Sequence, residues 1–274
     1  MARGRTATVM TTRVGDDDAG VRPDRLVVEE PLEIRLDDHV VATTMRTPGH
    51  DYELAVGFLL TEGLLAGAPV RTVRYCATGS ASETAFNVVT VSTGGVAPPP
   101  TARLQSTTSS CGLCGTASID ALLARLAPLP GPAVPVDVAV LAGVAESVRA
   151  GQELFEATGS IHAAAAFDPS SGAVTLVRED IGRHNAVDKV VGRLLLDEGL
   201  PASGMGLFVS GRASFEMVQK AWAAGFGLVA AVSGPSSLAV DTARVACIAL
   251  VGFLRGDTAN VYAPEPAVVS RATG

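Results

Sequence analysis

The last third of the chain alternates between short apolar runs and amphipathic segments, and this alternation constrains the fold more than any other feature. Residues 174–177, 205–209, 228–232 and 247–254 read as strands, and residues 185–197, 215–224 and 238–246 read as the helices between them. Strands that are apolar along their whole length must be covered on both faces, which predicts a largely parallel sheet between helical layers. Ligands of such sheets bind beyond the carboxyl ends of the strands.

The first third follows a different period. Leu26 and Val28, then Leu32, Ile34 and Leu36, then Val41 alternate with polar residues, separated by turns at Glu29-Glu30-Pro31 and Asp37-Asp38-His39. An antiparallel meander is expected there. Asp51 is placed to cap a helix carrying Leu54, Phe58 and Leu65, and strands at 70–77 and 85–91 complete a small α+β domain over 24–91. Residues 1–23, with the run Asp16-Asp17-Asp18 and no periodicity, read as a loose tail. Residues 92–110 are rich in Gly, Pro, Ser and Thr and read as a mobile linker. An α/β domain over 111–270 follows, opening with helices at 118–126 and 138–158.

Composition excludes several classes. A net charge of −7 argues against a general nucleic-acid binder, and 4% aromatic residues argue against a single-strand stacking platform. Mean hydropathy is +0.33, yet the longest apolar run, 245–254, is far short of the roughly 20 residues a membrane helix needs. With no secretory pattern near the amino terminus, a cytoplasmic location is expected. The four cysteines, Cys76, Cys111, Cys114 and Cys247, are too few for a disulfide scaffold.

Two of them form Cys111-Gly112-Leu113-Cys114-Gly115 after a serine-rich approach. Such a pair is a redox couple, half of a zinc site or a sulfur-transfer site, and its small neighbours leave both thiols accessible. Thr116 or Ser118 could cap a following helix whose dipole would favour the thiolate. A structural zinc would need two further ligands from isolated positions. The His-x-Glu of the zinc deaminases is missing, and His162 is followed by four alanines. No metal site is expected.

Charged residues then concentrate in Arg178-Glu179-Asp180-Ile181-Gly182-Arg183-His184-Asn185, with Asp188 and Lys189 one turn on. The cluster is either a solvated helix start or a site where Arg178 or Arg183 meets a phosphate and His184 or Asp180 positions a reacting group. Two strand-to-helix turns, Val209-Ser210-Gly211-Arg212-Ala213-Ser214 and Val232-Ser233-Gly234-Pro235-Ser236-Ser237, place glycine and hydroxyl residues where a helix begins and offer free N–H groups and dipole ends to an anion. Neither matches a Walker loop or a dinucleotide fingerprint. His162 lines the same cleft or serves the core.

These blocks, with Thr47-Pro48-Gly49, Gly57-Phe58-Leu59-Leu60-Thr61-Glu62-Gly63, His162-Ala163-Ala164 and Asn260-Val261-Tyr262, resemble the formate dehydrogenase accessory sulfurtransferases over about residues 26–265. The resemblance implies a sulfur carrier loaded by a cysteine desulfurase as a persulfide on Cys111, with Cys114 assisting transfer. The acceptor it implies is the molybdenum or tungsten bis-pyranopterin guanine dinucleotide cofactor of a formate dehydrogenase. It implies a cytidine-deaminase-like three-layer α/β domain without zinc chemistry, and a homodimer. The cofactor is expected on Arg183, His184, Ser210, Gly211, Arg212, Ser233, Gly234, Ser236, Asn260, Val261 and Tyr262. Asp257-Thr258-Ala259 departs from the commoner, more basic approach to Asn260. A chaperone that delivers the same cofactor is the competing reading, and a thiol-disulfide oxidoreductase is a weaker third.

Overall fold

The computed structural model describes residues 4–15, 19–76, 86–100, 126–130 and 136–263. The expected helix at 118–126 and the Cys-x-x-Cys lie outside them, apart from Leu126. The amino-terminal residues expected to be a loose tail instead form a hairpin of β1 (Thr6–Arg13) and β2 (Gly20–Val27). Its threonines and valines suit a strand. Because both faces are largely exposed, no polar-apolar alternation marks it.

A four-stranded sheet follows, in the order β4-β3-β6-β5, from β3 (Glu30–Leu36), β4 (His39–Arg46), β5 (Thr72–Tyr75) and β6 (Val88–Ser92). Asp37 and Asp38 both take positive φ, 44° and 70°, as a two-residue hairpin turn requires. The expected β3–β4 pairing is antiparallel, but β3 also pairs with β6 in parallel, so the sheet is more than a meander. Helix α1 (Asp51–Thr61) covers it, burying Leu54, Val56 and Leu59 against Leu32, Ile34 and Val89. His50, not Asp51, takes the N-cap position, and Asp51 is held by Arg46 at 2.9 Å. The start of the expected linker is pinned: Thr93 and Gly94 donate backbone N–H groups to Asp37 at 2.8 and 3.1 Å, and Ala97 is buried.

The second sheet has six strands in the order β12-β11-β10-β9-β7-β8. They are β7 (His162–Phe167), β8 (Val174–Asp180), β9 (Gly206–Val209), β10 (Leu228–Ala231), β11 (Ala249–Arg255) and β12 (Thr258–Ala263). Only β9, β10 and β11 are mutually parallel; β7 runs antiparallel to both its neighbours and β12 antiparallel to β11. The sheet is therefore mixed, not largely parallel. The connections at 168–173 and 256–257 are too short for a crossover and can only make hairpins.

Helices α2 (Val138–Ala150) and α3 (Glu153–Thr158) replace the single helix expected over 138–158, broken at Gly151-Gln152. On the face of the sheet where α2 lies, Leu141, Val144 and Val148 pack against Phe167, Phe208 and Val251. The other face carries α4 (Arg183–Leu196), α5 (Phe215–Ala224) and α6 (Ser237–Ala246), with Val187, Val191, Met217, Val218 and Ala243 against Leu207, Val229 and Leu250. This helix, sheet, helix layering agrees with the expected three-layer α/β arrangement. Among the described residues, no helix is long and apolar enough to cross a membrane.

Candidate functional site

The charged block at 178–189 splits into two populations. The first joins the two sheets. Helices α1 and α4 cross where Gly57 and Gly192 face each other: a β-carbon on Gly57 would overlap the Asp188 carbonyl, and one on Gly192 the Glu53 carbonyl. That approach brings charged partners together across the joint. Arg178 donates to both oxygens of Glu53 at 2.5 and 2.8 Å. Glu179 accepts the backbone N–H groups of Leu154 and Phe155 at 2.9 and 2.8 Å, holding the start of α3. Asp180 pairs with Lys189 at 2.7 Å and accepts the Thr47 N–H at 3.2 Å. Asp188 pairs with Lys220 at 2.9 Å and accepts the Thr61 hydroxyl at 2.8 Å.

Electrostatics follow from these contacts. Burial opposes ionisation of Glu53, but the hydrogen bond and charge of Arg178, helped by His50, outweigh it and hold the carboxyl down at about 2. Burial likewise works against the Lys220 ammonium, and the charges of Asp188 and Glu62 more than restore it. Arg178 and Asp180, read from sequence as contacts for a phosphate or a reacting group, are thus consumed within the fold.

The second population surrounds the carboxyl ends of β9 and β10. Ser210 leaves β9, and its backbone N–H donates to the Ala163 carbonyl at 2.9 Å while its hydroxyl oxygen accepts the Ala163 N–H at 2.9 Å. The two glycine turns run side by side: the Ser233 N–H donates to Gly211 O, and the Ser236 N–H to Ala213 O, each at 3.2 Å. Ser236 caps α6 by accepting the Ala239 N–H at 3.2 Å. Both serine oxygens accept from the backbone, so both hydroxyl protons stay available to a ligand. The His162 ring lies beside the first turn, its Nδ1 3.5 Å from where a β-carbon on Gly211 would sit, an ordinary van der Waals distance.

At this rim polar atoms lack partners. Among the described residues, the buried Arg183 Nε, His184 Nε2 and Ser214 Oγ find no hydrogen-bond partner. His184 Nε2 lies 3.9 Å from Glu216 Oε2, near enough to attract and too far to bond. Against the pull of burial, the neighbouring His184, with the nearby Ser214 hydroxyl and the Glu216 backbone N–H, holds the Glu216 carboxyl well below the usual carboxylate range. Arg212 is exposed and has no ion pair among the described residues. Burial, reinforced by the charges of Arg183 and His184, pushes His162 down, so its imidazole is neutral near pH 7. An unmade hydrogen bond to a buried group costs about 1–3 kcal/mol, and folds retain such groups where a ligand or water completes them. The amino termini of α4, α5 and α6 open on the same side and add their positive ends.

Beside the rim lies a cleft of about 470 Å³, lined by His162, Ser210, Ile181, Phe208 and Val232 together with Arg149 and Phe155. It offers an apolar floor with a few polar groups at one edge, the usual make-up of a small-molecule site. The exposed Phe253 ring lies over Gly234, its tip 2.6 Å from where a β-carbon would sit. Asn260 is exposed and donates to the Tyr262 hydroxyl at 3.3 Å, while Tyr262 lies close to Gly252 beneath the second turn. Val261 points to the other face of the sheet and packs with the α2 core.

The structure therefore gathers Arg183, His184, Ser210, Gly211, Arg212, Ser233, Gly234 and Ser236 on one rim, brings Tyr262 to its back, and assigns Val261 to the core. Ser214 closes the first of the two turns expected to meet an anion, and Glu216 was not anticipated. Ser214 sits at the N-cap position of an amphipathic helix, where sequence reasoning assigns a serine to capping; here its hydroxyl makes no cap bond.

Comparison with known proteins supplies the family. The FdhD/NarQ family model matches residues 27–269. A sulfur carrier protein FdhD from Streptomyces avermitilis is 51% identical, covering 95% of this chain and 94% of its own. The protein of the same name from Mycobacterium tuberculosis is 48% identical, covering 94% and 96%. A crystal structure of a candidate formate dehydrogenase accessory protein from Desulfotalea psychrophila superposes with a TM-score of 0.76 over 97% of this chain and 100% of that one, at 21% identity, a likeness of fold. With the family model spanning nearly the whole chain and relatives about half identical along it, this protein belongs to the FdhD/NarQ family.

Proposed function

We propose that this protein is a sulfur carrier that takes sulfur from a cysteine desulfurase and passes it to the molybdenum or tungsten bis-pyranopterin guanine dinucleotide cofactor, supporting a formate dehydrogenase. The observation that carries the proposal is the conjunction of Cys111-Gly112-Leu113-Cys114 with near-full-length likeness to proteins named as sulfur carriers. The orphaned rim supports the substrate side. An anionic dinucleotide would find the Arg183 and Arg212 cations, three helix amino termini, the Ser214 hydroxyl and the neutral His162 ring there. No resident metal is needed, because the metal is part of the cargo. A cytoplasmic, homodimeric protein fits this role.

Chemically, the Cys111 thiolate attacks the terminal sulfur of the donor persulfide; that S–S bond breaks, the donor cysteine leaves as a thiolate, and Cys111 carries the persulfide. At delivery, the Cys114 thiolate attacks Cys111 Sγ and expels the terminal sulfur as hydrosulfide to the acceptor. The two electrons come from the thiols, and a dithiol reductant restores the pair from the resulting disulfide. Intact-mass spectrometry after incubation with a cysteine desulfurase and cysteine tests the loading step. A reductant-labile gain of one sulfur, about 32 Da, present in wild type and Cys114→Ala and absent in Cys111→Ala, is expected. No gain with an active desulfurase would replace the sulfur carrier with a cofactor chaperone acting through the rim alone.

A further inference from the structure

The root of the β1–β2 ribbon closes a second, smaller cavity. Arg5, just ahead of β1, is pinned to the end of β2 through its carbonyl, which accepts the Val28 N–H at 2.9 Å. Its side chain lies along Gly49, where φ is 106° and a β-carbon would stand 3.6 Å from Arg5 Nε. Arg5 precedes the span that defines the family, which begins at residue 27. The cavity beside it measures about 190 Å³, and its other charged walls are His50, Glu153, Arg178 and Glu179. Its surface is almost wholly polar, and it shares no lining residue with the cleft beside the rim.

Three of these charges are already committed. Arg178 gives Nε and Nη2 to the two oxygens of Glu53, and His50 Nδ1 lies 3.5 Å from the same carboxylate. Both oxygens of Glu179 accept N–H groups, from Leu154 and Phe155. Arg5 and Glu153 are uncommitted. Neither side chain forms an ion pair among the described residues, and Arg5 Nε is buried without a hydrogen-bond partner. A cation and an anion thus line one cavity and do not meet.

That pattern selects a ligand by charge. The buried Nε needs an acceptor, and the Glu153 carboxylate takes a donor. A simple anion would suit Arg5 and be repelled by Glu153; a simple cation would meet the reverse. A molecule with a carboxylate at one end and an ammonium at the other satisfies both, and polar walls give no seat to a bulky apolar group. We infer that this cavity binds a small zwitterion of the α-amino acid class, its carboxylate on Arg5 and its ammonium on Glu153. The inference is independent of the sulfur-carrier reading.

The test is calorimetric titration of the full chain with glycine and with L-alanine, beside propionate and ethylammonium, each of which carries half of the charge pattern. Arg5→Gln and Glu153→Gln keep the size of each side chain and remove its charge. Both amino acids should bind saturably, and each half-molecule should bind at least about tenfold more weakly. Each variant should weaken L-alanine about tenfold to a hundredfold, the worth of a hydrogen bond to a charged group, with the thermal midpoint unchanged. Guanosine diphosphate, expected at the rim, should not displace L-alanine. Absence of saturable binding by either amino acid, propionate or ethylammonium binding as tightly as L-alanine, an affinity untouched by either variant, or displacement by the nucleotide would each overturn the inference.

Discussion

Two charged regions lie one helical turn apart at the head of α4, and they differ in whether their charges are spent. In the joint between α1 and α4, Arg178, Asp180, Asp188, Lys189 and Lys220 each have an oppositely charged partner within 3.0 Å. At the rim, Arg183 Nε, His184 Nε2 and Ser214 Oγ find no hydrogen-bond partner among the described residues. The contrast teaches how to read charge density in a low-charge protein: the satisfied set holds the fold, and the unsatisfied set is left for something that arrives. Mutations should separate the two, costing stability in the joint and ligand affinity at the rim.

The largest effect is expected from Asp188→Ala, which takes the fully buried partner from the buried Lys220 ammonium and leaves it only the half-buried Glu62 carboxylate at 3.0 Å. Loss of one partner of a buried pair costs about 3–5 kcal/mol, readable as a fall in the denaturant midpoint. The double replacement Asp188→Leu with Lys220→Met should recover much of that loss, because it removes the stranded charge with its partner. A cost for the double change equal to that of the single one would mean packing, not charge, dominates the joint. Next is Gly192→Ala, whose β-carbon would overlap the Glu53 carbonyl and force α1 from α4. A destabilisation on the order of 1–3 kcal/mol is expected by chemical denaturation. An unchanged midpoint would show that the helices have room.

A smaller effect concerns acid. Glu53 titrates at about 2 in the fold against an ordinary 4.5, so its contribution is complete above 4.5 and is lost as pH falls toward 2. The melting temperature of wild type should therefore fall more steeply below about pH 5 than that of Glu53→Gln. Parallel curves would remove Glu53 from the set of charges that matter.

The same contrast marks how far sequence reading reached. Helices α4, α5 and α6 and strands β9, β10 and β11 were legible because apolar runs between amphipathic segments have one economical packing. Strand β7 was not, since Ala163 to Ala166 carry no branched or aromatic signal, although the sheet buries them completely. The β1–β2 ribbon escaped because most of its residues are exposed and no face needs to be apolar. At the site, the glycine turns and Arg183 were found from their place at strand ends. The commitment of Arg178 and Asp180 was invisible, because Glu53 and Thr47 lie 125 and 133 residues away along the chain. Ser214 was legible as the end of its glycine turn but its unmade cap bond was not, because that exists only in three dimensions, and Glu216 gave no signal.

The measurement that tests the division most directly is a paired assay on Arg183→Ala: equilibrium unfolding and calorimetric binding of guanosine diphosphate, a fragment of the proposed cargo. The stability of Arg183→Ala should stay within about 0.5 kcal/mol of wild type, as for a residue with no ion pair among the described residues. Its affinity for the nucleotide should fall about tenfold to a hundredfold, the worth of a hydrogen bond to a charged group. Lost stability with unchanged affinity would contradict the account, placing Arg183 with the joint and leaving the rim without a ligand.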